Sequence, residues 1–435
     1  MAIGGAIGVG LFLGSGKAIN NAGPAVLLCY VLCGAVVFVM LRALGEMAMH
    51  KPISGSFASY AGEFIGPWAG YVTGWTYWLM WITTVMAEIT AVGIYTQYFW
   101  PSVPQWIPAL LAVIVLLGVN LVSVRVFGEV EFWFSLIKVL AILIFIATGI
   151  AILVFGIGNL EHAAVSNLWS HGGFFPHGLI GPLLALQIVT FAFLGVEMIG
   201  VAAGEAREPE KELPLAINRV VWRILLFYVG AVLVILMLIP WNETSVNESP
   251  FVLAWQSLGI PAAAGILNLV VLTAALSSCN SGIFTSARML FSLSGSGQAP
   301  RRFSAVNRRQ VPSAALAASG AVLSIGVLLN VVVPARAFGY ITSVATVAVL
   351  WVWGIIVITH LRFRARVRAG AIRQPSFRLP GSPWTNAAVI AYVVLVAILL
   401  GVTPNQRVAL IAGAIWAALV AIGWWRFSHT RRSTA

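Results

Sequence analysis

Three ionisable residues, Glu88, Lys138 and Glu197, stand inside otherwise apolar runs of this 435-residue chain. A bare charge at membrane depth is costly, so one that persists there marks a functional site or a structural pair between helices. Both readings stay open for each of the three. Lys138 can pair with a glutamate, or it can take up and release a proton coupled to some other movement. A second chemical feature is backbone. The segment Gly4 to Gly16 holds six glycines in thirteen residues, and each costs about 1 kcal/mol in a helix interior. Spaced as Gly4 and Gly8, or Gly10 and Gly14, they can form a small-residue face for close helix packing. They can equally mark a helix broken near the bilayer midplane, where unwound backbone is tolerated only if it lines a cavity. The half-helix after such a break offers amides and a positive dipole end to a carboxylate.

A second interruption tips the balance toward a break. Phe191-Ala192-Phe193-Leu194-Gly195-Val196-Glu197 sets a glycine and an acid in the middle of the sixth apolar run, followed by Gly200 and Gly204. Two interrupted helices five apart are the pattern of two five-helix halves of inverted orientation. The second break would expose carbonyls able to accept from an ammonium group. Amides for a carboxylate and carbonyls for an amine are together what an amino acid zwitterion requires.

The elements that must position these groups follow from composition. Hydrophobic residues make up 60% of the chain and charged ones 9%, with a mean hydropathy of +0.96. A soluble domain of this length needs far more charge to cover its surface. The net charge of +12 and pI near 10.2 suggest nucleic acid, but the charges sit in short loops between apolar runs, where they report topology. Every acid is Glu. With about 20 apolar residues needed per span, the chain divides into twelve helices near 2–20, 24–48, 66–100, 105–124, 130–156, 179–203, 217–240, 260–293, 313–334, 335–361, 383–403 and 405–427. Of the 25 Lys and Arg, only Lys17, Arg336 and Arg407 fall on one side. Lys138 lies within the membrane and all the others fall on the opposite side, which places both termini in the cytoplasm. The fold class expected is an all-α polytopic membrane protein with discontinuous helices 1 and 6. Its core spans 1–361, as inverted repeats 1–156 and 179–361, and 383–427 adds two peripheral spans.

Other groups carry less chemistry. Cys29, Cys33 and Cys279 sit in apolar stretches and read as inert filler. His162, His171 and His177 share one external loop; they read as solvated, with a metal site the sharper alternative. The basic stretch Arg362 to Arg378 reads as a topology determinant, or as a patch for anionic lipid. Glu46, Glu63, Glu129 and Glu131 fall at helix ends, where they cap helices or pair with bases. The chain opens at Met1 inside a membrane run with no cleavable signal segment in view, and an original tail ahead of it is expected.

Taken in order, several motifs resemble the amino acid–polyamine–organocation superfamily, and within it the bacterial amino acid transporters. They are Gly4 to Phe12, Arg42-Ala43-Leu44-Gly45-Glu46, Gly66 to Tyr71 with Gly74-Trp75, Phe127 to Trp133, Glu205 to Pro209, Pro214 to Asn218, Leu272 to Ser278 and Asn280-Ser281-Gly282. The segments His50 to Phe57, Gly172 to Gly178, Val221-Trp222-Arg223 and Phe377 to Gly381 are most similar to L-asparagine permeases, and they are loop or surface features. The resemblance implies ten helices in two inverted repeats plus two peripheral ones. It implies that amides at Gly8, Val9 and Gly10 bind a substrate carboxylate and that carbonyls of Ala6, Phe191 and Leu194 take the amine. It implies that the Phe191 ring gates the outward side and that Glu88 faces a polar substrate side chain. Lys138 matches a helix 5 lysine of proton-coupled relatives, so H⁺ rather than Na⁺ is expected, with Lys138 and Glu197 as coupling groups and no other cofactor. Val9 departs from the Ser or Thr of many members and supplies no hydroxyl.

The reading is a permease of the bacterial cytoplasmic membrane that imports L-asparagine. Glycine, D-alanine or D-serine, and γ-aminobutyrate are the rivals within the class. An intramembrane enzyme would need a nucleophile or metal set at depth, and Ser277 and Ser278 have no histidine near them in the sequence pattern. A nutrient sensor would need a larger cytosolic extension than the few residues after Phe427. Oligomeric state is left open, and no nucleic acid partner is expected.

Overall fold

The computed structural model describes residues 7–52, 56–122, 124–156, 163–202, 209–245, 248–257 and 261–433. Among them the chain is helical throughout, with no strand. The first apolar run is not one rod. Residues 7 and 8 are non-helical; α1 (Val9–Phe12) starts from an extended Gly8, and a turn at Leu13 leads into α2 (Gly14–Ala22). Gly23, at φ +59, then bends the chain into α3 (Val26–His50). A left-handed φ suits glycine, and Pro176 packs where a side chain at this position would stand.

After α4 (Ser56–Phe64) come α5 (Pro67–Phe99), α6 (Trp106–Val122) and α7 (Val124–Phe155). The second half holds α8 (Ile180–Ala192), α9 (Met198–Ala202), α10 (Pro209–Leu238), α11 (Pro250–Ser257), α12 (Pro261–Gly295), α13 (Ser313–Val332) and α14 (Pro334–Arg368). Then α15 (Trp384–Val402) and α16 (Arg407–Ser433) close the chain. Among the described residues nine helical stretches are long and apolar enough to cross a bilayer, which makes this a polytopic membrane protein. The sequence suggests twelve spans. The two numbers differ because Gly14–His50 runs through the Gly23 bend as one stretch, and because the apolar helices Trp106–Leu121 and Ile180–Ala192 are short.

The third span forms as expected, and α5 lies at the centre of the bundle, buried along most of its length and packed chiefly on α12 and α14. Elsewhere α2 packs on α8, α3 on α10 and α6 on α13. Broad apolar faces stay exposed on α6 (Ile114, Val115), α7 (Ile144, Val154) and α16 (Ile411, Ile415). In water such faces would aggregate; against acyl chains they cost nothing.

Three expectations need correction. The residues Arg362 to Arg368 are not loop: α14 continues through them because nothing breaks it before Gly370, at φ +75. Long arginines at a helix end can reach the interface while their stems stay apolar. Helix α10 starts at Pro209 rather than 217, its first turns carrying the polar helix formers Glu210, Lys211 and Glu212 and running on through an interior Pro214. The short helices α4 and α11 lie where loop was expected.

The basic-rich end is tied by a buried knot. Glu46 Oε2 accepts from His360 Nε2 at 3.0 Å and from the Leu379 amide at 2.7 Å, while Arg364 Nε lies 3.1 Å from Oε1. Asn386 Nδ2 is 3.0 Å from His360 Nδ1, and Arg364 also donates to the Leu379 carbonyl at 3.0 Å. The Arg42 guanidinium lies over the Phe377 ring, 4.0 Å from its centroid. Thus α3, α14, α15 and the segment between the last two are joined where acids and bases were expected to pair. Glu63 likewise pairs with Lys51, at 2.9 Å.

Candidate functional site

Two interrupted segments meet at the core. Where α1 begins, the Gly8 carbonyl accepts from the Leu11 and Phe12 amides at 3.1 and 3.3 Å, so the amides at its start have no helical partner upstream. At the far end of α8, the helix stops at Ala192, turns through residues 193–197 with Gly195 at φ +94, and resumes as α9. The Leu194 amide closes this turn on the Phe191 carbonyl at 3.0 Å, and Tyr228 Oη donates to the Ala192 carbonyl at 2.8 Å. The two segments touch through glycine: a Cβ on Gly10 would lie 2.5 Å from Ala192 Cα.

A carboxylate already sits on the start of α1. The Val9 amide donates to both oxygens of Glu88, at 3.1 and 3.3 Å. Glu88 comes from the middle of α5 and is 2% exposed. The space above Gly8 is filled by the same carboxylate and by Ser278 Oγ of α12, 3.0 Å from where a Cβ would stand. Lys138, 1% exposed on α7, donates to the Ile7 carbonyl at 3.3 Å, the residue just ahead of the helix start. Glu88 and Glu131 are the acids that act on it electrostatically.

Glu131 is a correction to the sequence reading. It does not cap a helix end but lies buried within α7, accepting from Ser277 Oγ at 3.0 Å and from Ser135 Oγ at 3.2 Å. The missed signal is its spacing: seven residues before Lys138 is two helical turns, hence the same face. Ser277 and Ser278 were weighed only as nucleophiles. Here they are hydroxyl partners of the two buried acids.

Glu197 does not join this cluster directly. It lies below the α8–α9 break, 0% exposed; its Oε2 accepts from the Gly195 amide at 3.2 Å, and its Oε1 has no hydrogen-bond partner among the described residues. Trp353 of α14 and Tyr77 of α5 interact with it. Phe191 is buried, its ring set edge-on to Phe338 with centroids 6.4 Å apart. Ala6 lies outside the described residues. So the structure brings Gly8, Val9, Gly10, Glu88 and Lys138 together, and it sets Phe191, Leu194 and Glu197 along the facing break.

The external-loop histidines form no metal cluster among the described residues. The His171 carbonyl accepts from Trp241 at 2.8 Å, the His177 ring packs against that indole, and His162 lies outside the described residues. All three cysteines are buried and free.

Chemically, the arrangement offers amides at a helix start to an anion, carbonyls at a helix end to a cation, and buried titratable groups within reach of both. Comparison with known proteins gives a consistent result. Residues 1–434 match the profile of the family described as amino acid permease. The chain is 50% identical over 437 residues to the uncharacterized amino acid permease YtnA of Bacillus subtilis, covering all of this chain and 94% of that one. It is 46% identical to the amino-acid permease AapA of the same organism, over 97% of this chain and 91% of the relative. It is 45% identical to that organism's "probable threonine/serine transporter" YbxG, over 100% and 94%.

Proposed function

The chain belongs to the amino acid permease family, and on that premise we propose that it imports a small polar amino acid with a proton by alternating access. Family membership makes it a multi-pass membrane transporter of amino acids rather than an enzyme. The observation that carries the finer reading is the Glu88 carboxylate on the Val9 amide. A substrate carboxylate needs that amide, so Glu88 and substrate compete for one anion site. A proton on Glu88 removes its charge and frees the amide, and the substrate anion then takes its place beside Lys138. Proton and substrate enter together because neither arrangement leaves two carboxylates facing one helix start.

The remaining parts follow from the same geometry. Carbonyls at the α8–α9 break, with that of Ala6, receive the ammonium group. Phe191 closes the site from the basic-poor end. Glu197, with one oxygen unpartnered at the opposite side of the break, is a second proton holder. Lys138 holds the α1 entrance through the Ile7 carbonyl and stands where a coupling cation would otherwise be needed. The packing of α2 on α8, α3 on α10, α5 on α12 and α6 on α13 pairs each of the first four runs with the one five later, which suits an inverted repeat. It supports ten spans in a 1–361 core with peripheral α15 and α16, twelve in all. The charge split supports cytoplasmic termini in a bacterial membrane.

For the substrate itself, L-asparagine is one candidate and L-threonine or L-serine the other. The segments similar to asparagine permeases lie away from the site: Phe377 and Leu379 pack on the Glu46 knot, and Gly172 to Gly178 form an external turn. The name of the relative YbxG favours the hydroxy amino acids. Uptake of labelled asparagine and threonine into proteoliposomes, each competed by the other and by glycine, D-serine and γ-aminobutyrate, separates them. Excess asparagine that leaves threonine uptake unchanged ends the asparagine reading.

A further inference from the structure

A cavity of about 640 Å³ opens at the basic-poor end, within the size range of small-molecule sites. Of the three basic residues that the charge split leaves on that side, two, Lys17 and Arg336, line it. Lys17 is half-buried on α2, close to the backbone of Gly339, and Arg336 is exposed on the first turn of α14. Among the described residues no acid lines the cavity, and neither cation has a salt-bridge partner. A carboxylate, Glu248, lines an adjoining recess that shares Ile94 and Gln97. A lysine that only set topology would sit at the opposite end, with the other bases. The cavity also borders the transport site: Leu13, just beyond α1, forms part of its wall, and Phe338 lines it while packing on the Phe191 ring. Lys17 stands seven residues beyond Gly10, on the helix that follows the Leu13 turn.

We propose that this vestibule is a second substrate site, in which Lys17 binds the α-carboxylate of an incoming amino acid before the Phe191–Phe338 pair admits it. Arg336 at the rim adds a long-range field that draws anionic groups in and turns cationic side chains away. Uncharged Asn21, Gln97 and Asn405 surround the carboxylate position without competing for the cation. The proposal rests on the amino acid transport reading for its ligand, and its test separates the two.

Lys17→Gln is expected to raise KM for labelled asparagine and threonine about tenfold with kcat nearly unchanged, and Lys17→Arg to restore it. Arg336→Gln is expected to give a smaller rise and to flatten the salt dependence of KM. A KM unmoved by Lys17→Gln, or a loss confined to kcat, overturns the proposal. An independent arm needs no flux. The three native cysteines are buried, so Arg336→Cys offers one accessible thiol with Lys17 intact. L-Asparagine or L-threonine is expected to slow its alkylation from outside, and the corresponding amino acid amides, lacking the carboxylate, are not. Equal protection by acid and amide, or none by either, overturns the vestibule site. Protection in a protein that shows no amino acid flux would instead overturn the transport reading and leave the vestibule standing.

Discussion

Glu46 and Glu197 are both fully buried carboxylates at helix positions, and they are treated in opposite ways. Glu46 is paired with bases: a histidine and a backbone amide bond one oxygen, and Arg364 lies 3.1 Å from the other as an ion pair without a hydrogen bond. Glu197 has a single amide on one oxygen and, among the described residues, no hydrogen bond on the other and no ion pair. The first sits where α3, α14 and the segment before α15 are clamped together. The second sits where a helix is broken. A buried carboxylate paired with bases fixes geometry, because removing it strands its partners; one without an ion pair can change protonation without dismantling its surroundings. Glu88 resembles Glu197 in taking a backbone amide at a helix break, and that amide, shared between both its oxygens, is one a ligand can claim.

This contrast is sharpest under substitution. Glu46→Ala leaves His360, Arg364 and the Leu379 amide without their acceptor, and a loss of about 3–5 kcal/mol is expected. Thermal unfolding of the purified protein would show it, with uptake lost because the protein is lost. Gly10→Leu acts at the other region. The α1–α8 contact has no room for a side chain, and uptake is expected to fall at least about 100-fold while membrane levels stay normal. Equal uptake by that variant would mean that the two segments do not form the site.

The glycine run and Gly195 made the break regions legible in the sequence, since too many glycines in an apolar segment argue against a continuous rod. Glu88 and Lys138 were legible because charge at depth is conspicuous. Glu131 was not, since hydropathy starts that span near 130 and so sets Glu131 at its end, whereas the helix begins at Val124. The Glu46 knot was legible only as a general pairing of acids with bases. Its partner His360 is 314 positions away, and no local pattern joins residues so distant. The run of α14 to Arg368 escaped for another reason: hydropathy marks where the bilayer ends, not where the helix does.

Smaller effects sharpen the comparison further. Glu88→Gln is expected to keep binding but to abolish accumulation driven by a proton gradient, so that labelled substrate only equilibrates. Accumulation that persists and follows sodium would reverse the coupling assignment. Glu197→Gln keeps an acceptor for the Gly195 amide, so stability is expected to change by no more than about 1 kcal/mol while the pH dependence of uptake flattens. Val9→Thr supplies the missing hydroxyl with little change in shape. It is expected to shift KM by about fivefold or less, with kcat retained.

The claim beneath all of these is that a substrate carboxylate and Glu88 share one amide. A high-resolution structure of the protein with its amino acid bound tests it most directly. The account predicts the substrate carboxylate within hydrogen-bond distance of the Gly8 to Gly10 amides, with Glu88 moved off the Val9 nitrogen. A substrate bound elsewhere, with Glu88 still on that nitrogen, would contradict it.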